Sequence, residues 1–242
     1  MPSAAERTRT LVQSTCSAVL LVPGLESALA HQLMPEVREV GDDGEVLLVF
    51  PAGSPVVRAA SRAHDDELAV VLELTDVAPV SVPHRIRGRA WISGWLTRLP
   101  DEAPGARAIT GPPGIAGPPA WATLRLETGE ICVDDLWGAE AVDAKDFAAA
   151  APDPLVAYEA ELLQHLHAAH APQVRRLREL IGERARGAGC PVAVPVALDR
   201  FGLRVRFTGV RCFDARFDFP EPVADVHGLR RAMRVLFEAA GH

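Results

Sequence analysis

The sequence predicts an α+β protein in which a β-rich first module is followed by a small module of helices packed with an antiparallel sheet. Three observations predict it. Between residues 37 and 134, short β-branched and apolar runs are separated by Asp, Gly and Pro clusters, which is the punctuation of antiparallel β structure. From Leu155 onward apolar residues return at spacings of three and four, the period of a helix face. A composition shift at Ala148 to Pro154 separates the two patterns, so the modules are expected at residues 1–151 and 152–242.

At the amino terminus Ser3 can cap a helix carrying Glu6, Leu11 and Val12, and Thr15 to Val22 is apolar enough for a strand. Val37 to Val40, the turn Gly41-Asp42-Asp43-Gly44 and Val46 to Phe50 read as a hairpin, because Asp and Gly tolerate tight-turn backbone. Ser54 and Pro55 open a short helix through Val56, Val57 and Ala60, where the missing N–H of proline costs nothing. Ala69 to Leu74 reads as a buried strand. Arg85 to Leu99 sets Arg85, Arg87 and Arg89 against Ile86, Ala90 and Ile92, a long barrel-type strand with one wet face and one buried face. Residues 100–119 hold six prolines and four glycines and predict an exposed excursion. Trp121 to Glu127 and Glu130 to Asp134 follow as two strands joined at Thr128-Gly129.

In the second module, Leu155, Tyr158, Leu162, His165 and Leu166 mark one helix, and a second from Pro172 carries Val174, Leu177, Leu180 and Ile181. Val192 to Leu198 and Leu203 to Phe207 flank a turn at Asp199 to Gly202. Cys212 to Phe219 adds a strand, and Leu229, Met233, Leu236 and Phe237 lie on a closing helix.

Hydrophobic residues make up 48% of the 242-residue chain, enough to bury real cores, and the formal net charge is −7. An acidic balance argues against nucleic acid or an anionic membrane surface as partner, since both demand a basic face. No run approaches the roughly 18 apolar residues of a membrane span. Arg7 and Arg9 before Cys16 to Val22 imitate a signal peptide, but the apolar run stops at Pro23-Gly24 and reads equally as a strand, so a cytoplasmic location is expected. The four cysteines, Cys16, Cys132, Cys190 and Cys212, are scattered without a CxxC pair and are expected as buried, reduced thiols.

Phosphate-binding glycine loops, the HExxH zinc motif and the GxSxG nucleophile motif are all absent from the sequence. The most suggestive constellation is His165-Leu166-His167-Ala168-Ala169-His170, followed by Arg175 and Arg176. Imidazole is a good ligand for iron, and a guanidinium pairs with a carboxylate such as a haem propionate. On a helix, His167 and His170 share a face, with His165 roughly near either.

Glu161 to His170, then Leu198-Asp199-Arg200-Phe201-Gly202-Leu203, then Phe217 to Pro222 and the final helix resemble the small domain of haem-utilisation (HugZ-type) proteins. Leu72-Glu73-Leu74-Thr75 and Arg87 to Leu96 are similar to barrel strands of the pyridoxamine-phosphate-oxidase-like group. The resemblance implies an FMN-binding-like split β-barrel followed by a small α/β domain, assembled as a homodimer. It implies haem as ligand, with His170 as first choice of axial ligand to the iron and His227 as the second, and with His165, Arg175 and Arg176 around them.

The chain departs from the family pattern at several positions. The Asn and Asp of the family motif are His167 and Ala169 here, leaving His165 and His170 as the matching positions. For an FMN phosphate, Pro51 to His64 offers only Ser54, Arg58, Ser61, Arg62 and His64, a weak match that makes FMN the lesser cofactor expectation. The axial histidine of haem-degrading relatives has no counterpart between Ala148 and Ala157. Three functions stay open at this point: a haem-binding sensor, carrier or chaperone; a flavin- or haem-dependent oxidoreductase; and a cofactor-free regulator of tetrapyrrole metabolism.

Overall fold

A computed structural model describes residues 1–63, 68–100, 121–182 and 192–241. His64, Cys190 and nearly all of the Pro/Gly-rich excursion lie outside the described residues. The protein is α+β, as predicted, with a curled antiparallel half-barrel sheet and a second, small antiparallel sheet. It divides into two compact units. The first comprises Ser3–Asp76 and Gly88–Pro152; the second comprises Met1–Pro2, Val77–Arg87 and Asp153–His242.

The first unit opens with helix α1 (Ala4–Gln13). The hydroxyl oxygen of Ser3 accepts a hydrogen bond from the Glu6 N–H at 3.2 Å, and the Glu6 carboxylate accepts from the Ser3 N–H at 2.8 Å, the reciprocal cap the sequence prescribes. Strands β1 (Ser17–Leu21), β2 (Val37–Val40) and β3 (Val46–Pro51) follow. Gly44 makes the β2–β3 turn possible, because its φ of 83° lies where a side chain is strained. Helix α2 (Pro55–Ala60) is capped by Ser54, and β4 (Leu68–Val77), β5 (Ile86–Arg98), β6 (Trp121–Asp135) and β7 (Gly138–Val142) complete the sheet in the order β1-β4-β5-β6-β3-β2, with β7 on β6. Helix α3 (Ala144–Ala149) places Phe147 in the core beside Leu48, Phe50, Leu72, Ile92 and Leu124, all fully buried. Each such side chain contributes roughly 1.5–3 kcal/mol through removal from water.

Three expectations need correction. Trp121 to Asp134 is not a hairpin but one continuous strand, and Thr128-Gly129 is not a turn. The glycine signal marks an irregularity instead: pairing between β5 and β6 shifts register between Ile92 and Gly94, where a Cβ on Gly94 would collide with the Glu127 carbonyl oxygen. The alternation of β5 also fails at its start. Ile86 is exposed, whereas the Arg87 side chain is only 9% exposed because its guanidinium forms two bonds to Glu159, at 2.7 and 2.8 Å. Finally, Cys132 and Cys212 are exposed rather than buried, and Cys16 alone of the described cysteines is partly covered.

The second unit contains α4 (Glu159–Ala169), α5 (Ala171–Arg176), a 3-10 turn (Leu177–Ile181), a sheet of β8 (Val192–Asp199), β9 (Gly202–Thr208) and β10 (Cys212–Asp218), and α6 (Val226–Ala239). The sheet order is β10-β9-β8, and its inner side chains Leu203, Val205 and Phe207 pack with Leu163, Leu166 and Leu229. Residues 77–87 join this unit through specific bonds. Arg206 donates to Asp214 at 2.6 and 2.8 Å and to the carbonyls of Pro83 and His84 at 2.8 and 2.6 Å. His84 holds a φ of 54°, unusual for a residue with a side chain. No helix among the described residues is long and apolar enough to cross a membrane.

Candidate functional site

Helix α4 ends where the sequence requires it to. His170 leaves helical geometry at φ −122°, ψ 20°, while its N–H still bonds the Leu166 carbonyl, and Pro172 near the start of α5 has no N–H with which to extend α4. That break swings the His170 ring back over the preceding turn. Its centroid lies 5.1 Å from that of His165 at an interplanar angle of 74°, an edge-to-face pair five residues apart that an unbroken helix would not form. His167, which helical spacing pairs with His170, is exposed and outside this contact.

Opposite stands α6, capped by Asp225, whose carboxylate accepts the Gly228 N–H at 2.7 Å. That bond holds the Asp225 carboxyl below its usual range. One face of α6 repeats Val226, Leu229, Met233 and Phe237, and the Phe237 ring is 6.1 Å from that of His170. The two walls enclose an open groove of about 720 Å³. Its sides are apolar, through Leu162, Leu166, Leu229, Met233 and Phe237, and its polar lining consists of His165, His170, Gln173, Arg176, Arg230, Arg234 and Glu238.

Of the residues singled out in the sequence, His165, His170 and Arg176 therefore come together in this groove. Arg175 and His227 are exposed and do not line it. Sequence reasoning missed Arg230, Arg234 and Gln173, and read Met233 only as part of the apolar face of the closing helix. The i, i+4 repeat of Arg230 and Arg234 beside the apolar stripe was the available signal. Gln173 carries a buried side-chain oxygen with no hydrogen-bond partner among the described residues, an arrangement that costs roughly 1–3 kcal/mol unless something else meets it.

The groove fits a haem: apolar walls for the ring, an imidazole for the iron, and guanidinium groups at the rim for propionates. Among the described residues no three His, Cys, Asp or Glu side chains are grouped to hold a bare metal ion.

Three of the residues considered for an FMN phosphate form bonds within the fold. Ser54 accepts from the Val57 N–H at 3.2 Å, Ser61 donates to the Val57 carbonyl at 2.8 Å, and Arg58 donates to the Gly53 carbonyl. The first unit has its own cavity of about 850 Å³, lined by residues including Leu21, Leu25, Leu33, Val70 and Trp95; no histidine, cysteine or methionine faces it among the described residues.

Neither the protein-family models nor the curated proteins contain a match to this chain. Among solved structures, a haem-binding protein from Mycobacterium smegmatis aligns over 100% of this chain and 98% of its own, with a TM-score of 0.64 and 22% identity. A protein of unknown function from Agrobacterium tumefaciens aligns at a TM-score of 0.42, with 17% identity over 98% of this chain and 97% of its own. An FAD- and haem-binding protein from Mycobacterium smegmatis aligns at 0.35, with 20% identity over 62% of this chain and 80% of its own. The chain thus shares its fold, from end to end, with the first of these.

Proposed function

We propose that this protein binds haem in the groove of its second unit, with His170 as the axial ligand, and that it serves as a haem-binding sensor, carrier or chaperone. The observation that carries the reading is the convergence of His165 and His170, 5.1 Å apart, on a groove whose walls are apolar and whose rim is basic. The haem-binding description of the protein that shares this fold supports it. The two rings pack edge to face, and a porphyrin between them would have to separate them. This supports one axial imidazole from the pair, with the other ring orienting it. Haem held this way would supply an iron able to bind a further ligand or an electron. His227 remains the proposed second ligand only if the exposed side of the first turn of α6 reaches the iron. A homodimer belongs to the same proposal and is read by sedimentation.

The test is a haemin titration of the purified protein, followed by absorption between roughly 300 and 700 nm, an iron-porphyrin window. Wild type should saturate with a sharp Soret band, His170→Ala should weaken it, and His227→Ala should change it only if the second ligand is real. A titration that His170→Ala matches would remove His170 as ligand.

A further inference from the structure

We infer that Arg230 and Arg234 are the residues that select a ligand bearing two carboxylates on one edge, such as the paired propionates of haem; the inference rests on the haem reading above. Three features of the groove point to it. First, Arg230 and Arg234 stand one helical turn apart on α6, about 6 Å along its axis, and both line the groove next to the apolar stripe of Leu229, Met233 and Phe237. Second, Arg176 faces them from the other wall, so among the described residues the lining holds three guanidinium groups against one carboxylate, Glu238, in a chain whose net charge is −7. The described lining is therefore opposite in sign to the protein. Third, all three arginines are exposed, and none forms a hydrogen bond or ion pair with another described residue. Unlike the guanidiniums of Arg87 and Arg206, which brace the fold, these are available to a ligand.

The chemistry follows from geometry. An apolar disc seated between α4 and α6 presents its rim to solvent, and two carboxylates on that rim meet two arginines spaced along one helix edge. Charge-assisted pairs between guanidinium and carboxylate are directional and stronger than neutral hydrogen bonds. Arg231, on the same helix but outside the groove, does not share this position.

The experiment compares haemin, haemin dimethyl ester and metal-free protoporphyrin IX on wild type, the Arg230→Gln/Arg234→Gln double variant, Arg231→Gln and His170→Ala, at low and moderate salt. Wild type and Arg231→Gln should prefer haemin over its dimethyl ester by about tenfold or more, less at higher salt. The double variant should bind both alike while keeping the Soret position set by the iron ligand. Protoporphyrin IX, which needs no axial ligand, should bind His170→Ala as it binds wild type and should be lost from the double variant. Full retention of the preference in the double variant, with His170→Ala still defective for haemin, would overturn the arginine assignment alone. A wild type that binds none of the three porphyrins would overturn both the assignment and the haem reading.

Discussion

Replacing Arg206 by lysine should destabilise the second unit by about 3 kcal/mol while leaving the first unit intact. Arg206 is 7% exposed, and its guanidinium makes four hydrogen bonds: two to Asp214, at 2.6 and 2.8 Å, and one each to the carbonyls of Pro83 and His84, at 2.8 and 2.6 Å. Lysine keeps the charge but not the planar fork, so it can retain the carboxylate or the carbonyls and not both. Two bonds to a charged group, each worth roughly 1.5–3 kcal/mol, are lost, and the flexible ammonium recovers part of that. The strained backbone of His84 loses its restraint as well.

The assay is amide hydrogen exchange over β8 to β10, with tryptophan fluorescence as an internal control. Trp91, Trp95, Trp121 and Trp137, the four tryptophans of the chain, all belong to the first unit. A loss of about 3 kcal/mol lowers protection more than a hundredfold if exchange proceeds through global opening of the unit. Protection of β8 to β10 unchanged within about tenfold would mean that the fork contributes less than ~1.4 kcal/mol and does not brace this unit.

Further predictions concern single positions. Asp153, 7% exposed, accepts the N–H groups of Leu155 and Arg200, both at 2.9 Å, so Asp153→Ala should cost about 2 kcal/mol or more in denaturant unfolding. Burial pushes the Asp153 carboxyl up, so the native state holds this proton more tightly than the unfolded chain. The stability it contributes is full below the unfolded carboxylate value and falls as pH rises through the native one, and the alanine variant should lose that slope. Gly94→Ala forces a Cβ against the Glu127 carbonyl and should cost about 3 kcal/mol, shifting the fluorescence of neighbouring Trp95. Gln173→Leu removes a buried, unpartnered oxygen and should stabilise the ligand-free protein by about 1 kcal/mol, read from its thermal midpoint.

Local chemistry in the chain was legible wherever a few adjacent residues decide the backbone. The Ser3 and Glu6 box, Ser54 before Pro55, and the Asp-Gly turn before Val46 all form as their residue types dictate. The hairpin around Asp199 to Gly202 does too. What depended on distant partners was not legible. Gly129 reads as a turn until β5 is set beside β6, where Gly94 and Gly129 ease a register shift. Arg87 looks like the wet side of a strand until Glu159, 72 positions on, takes it in. The short β7 and α3 carry too few periodic residues to stand out, although Asp143 caps α3.

The candidate site divides along the same line. His165 and His170 were visible as a motif, but their contact needs the break at Pro172, and the second wall comes from α6, some 60 positions later. Arg175 and Arg176 are neighbours in sequence, yet only Arg176 lines the groove, because consecutive residues on a helix point about 100° apart.

Where haem seats is read most directly from the pattern of amide resonances broadened when ferric haemin, a paramagnet, is added to isotopically labelled protein. Loss of signal is expected around His165, His170, Gln173, Met233 and Phe237, the groove of the second unit. Broadening centred instead on Leu21, Val70 and Trp95, in the cavity of the first unit, would contradict it.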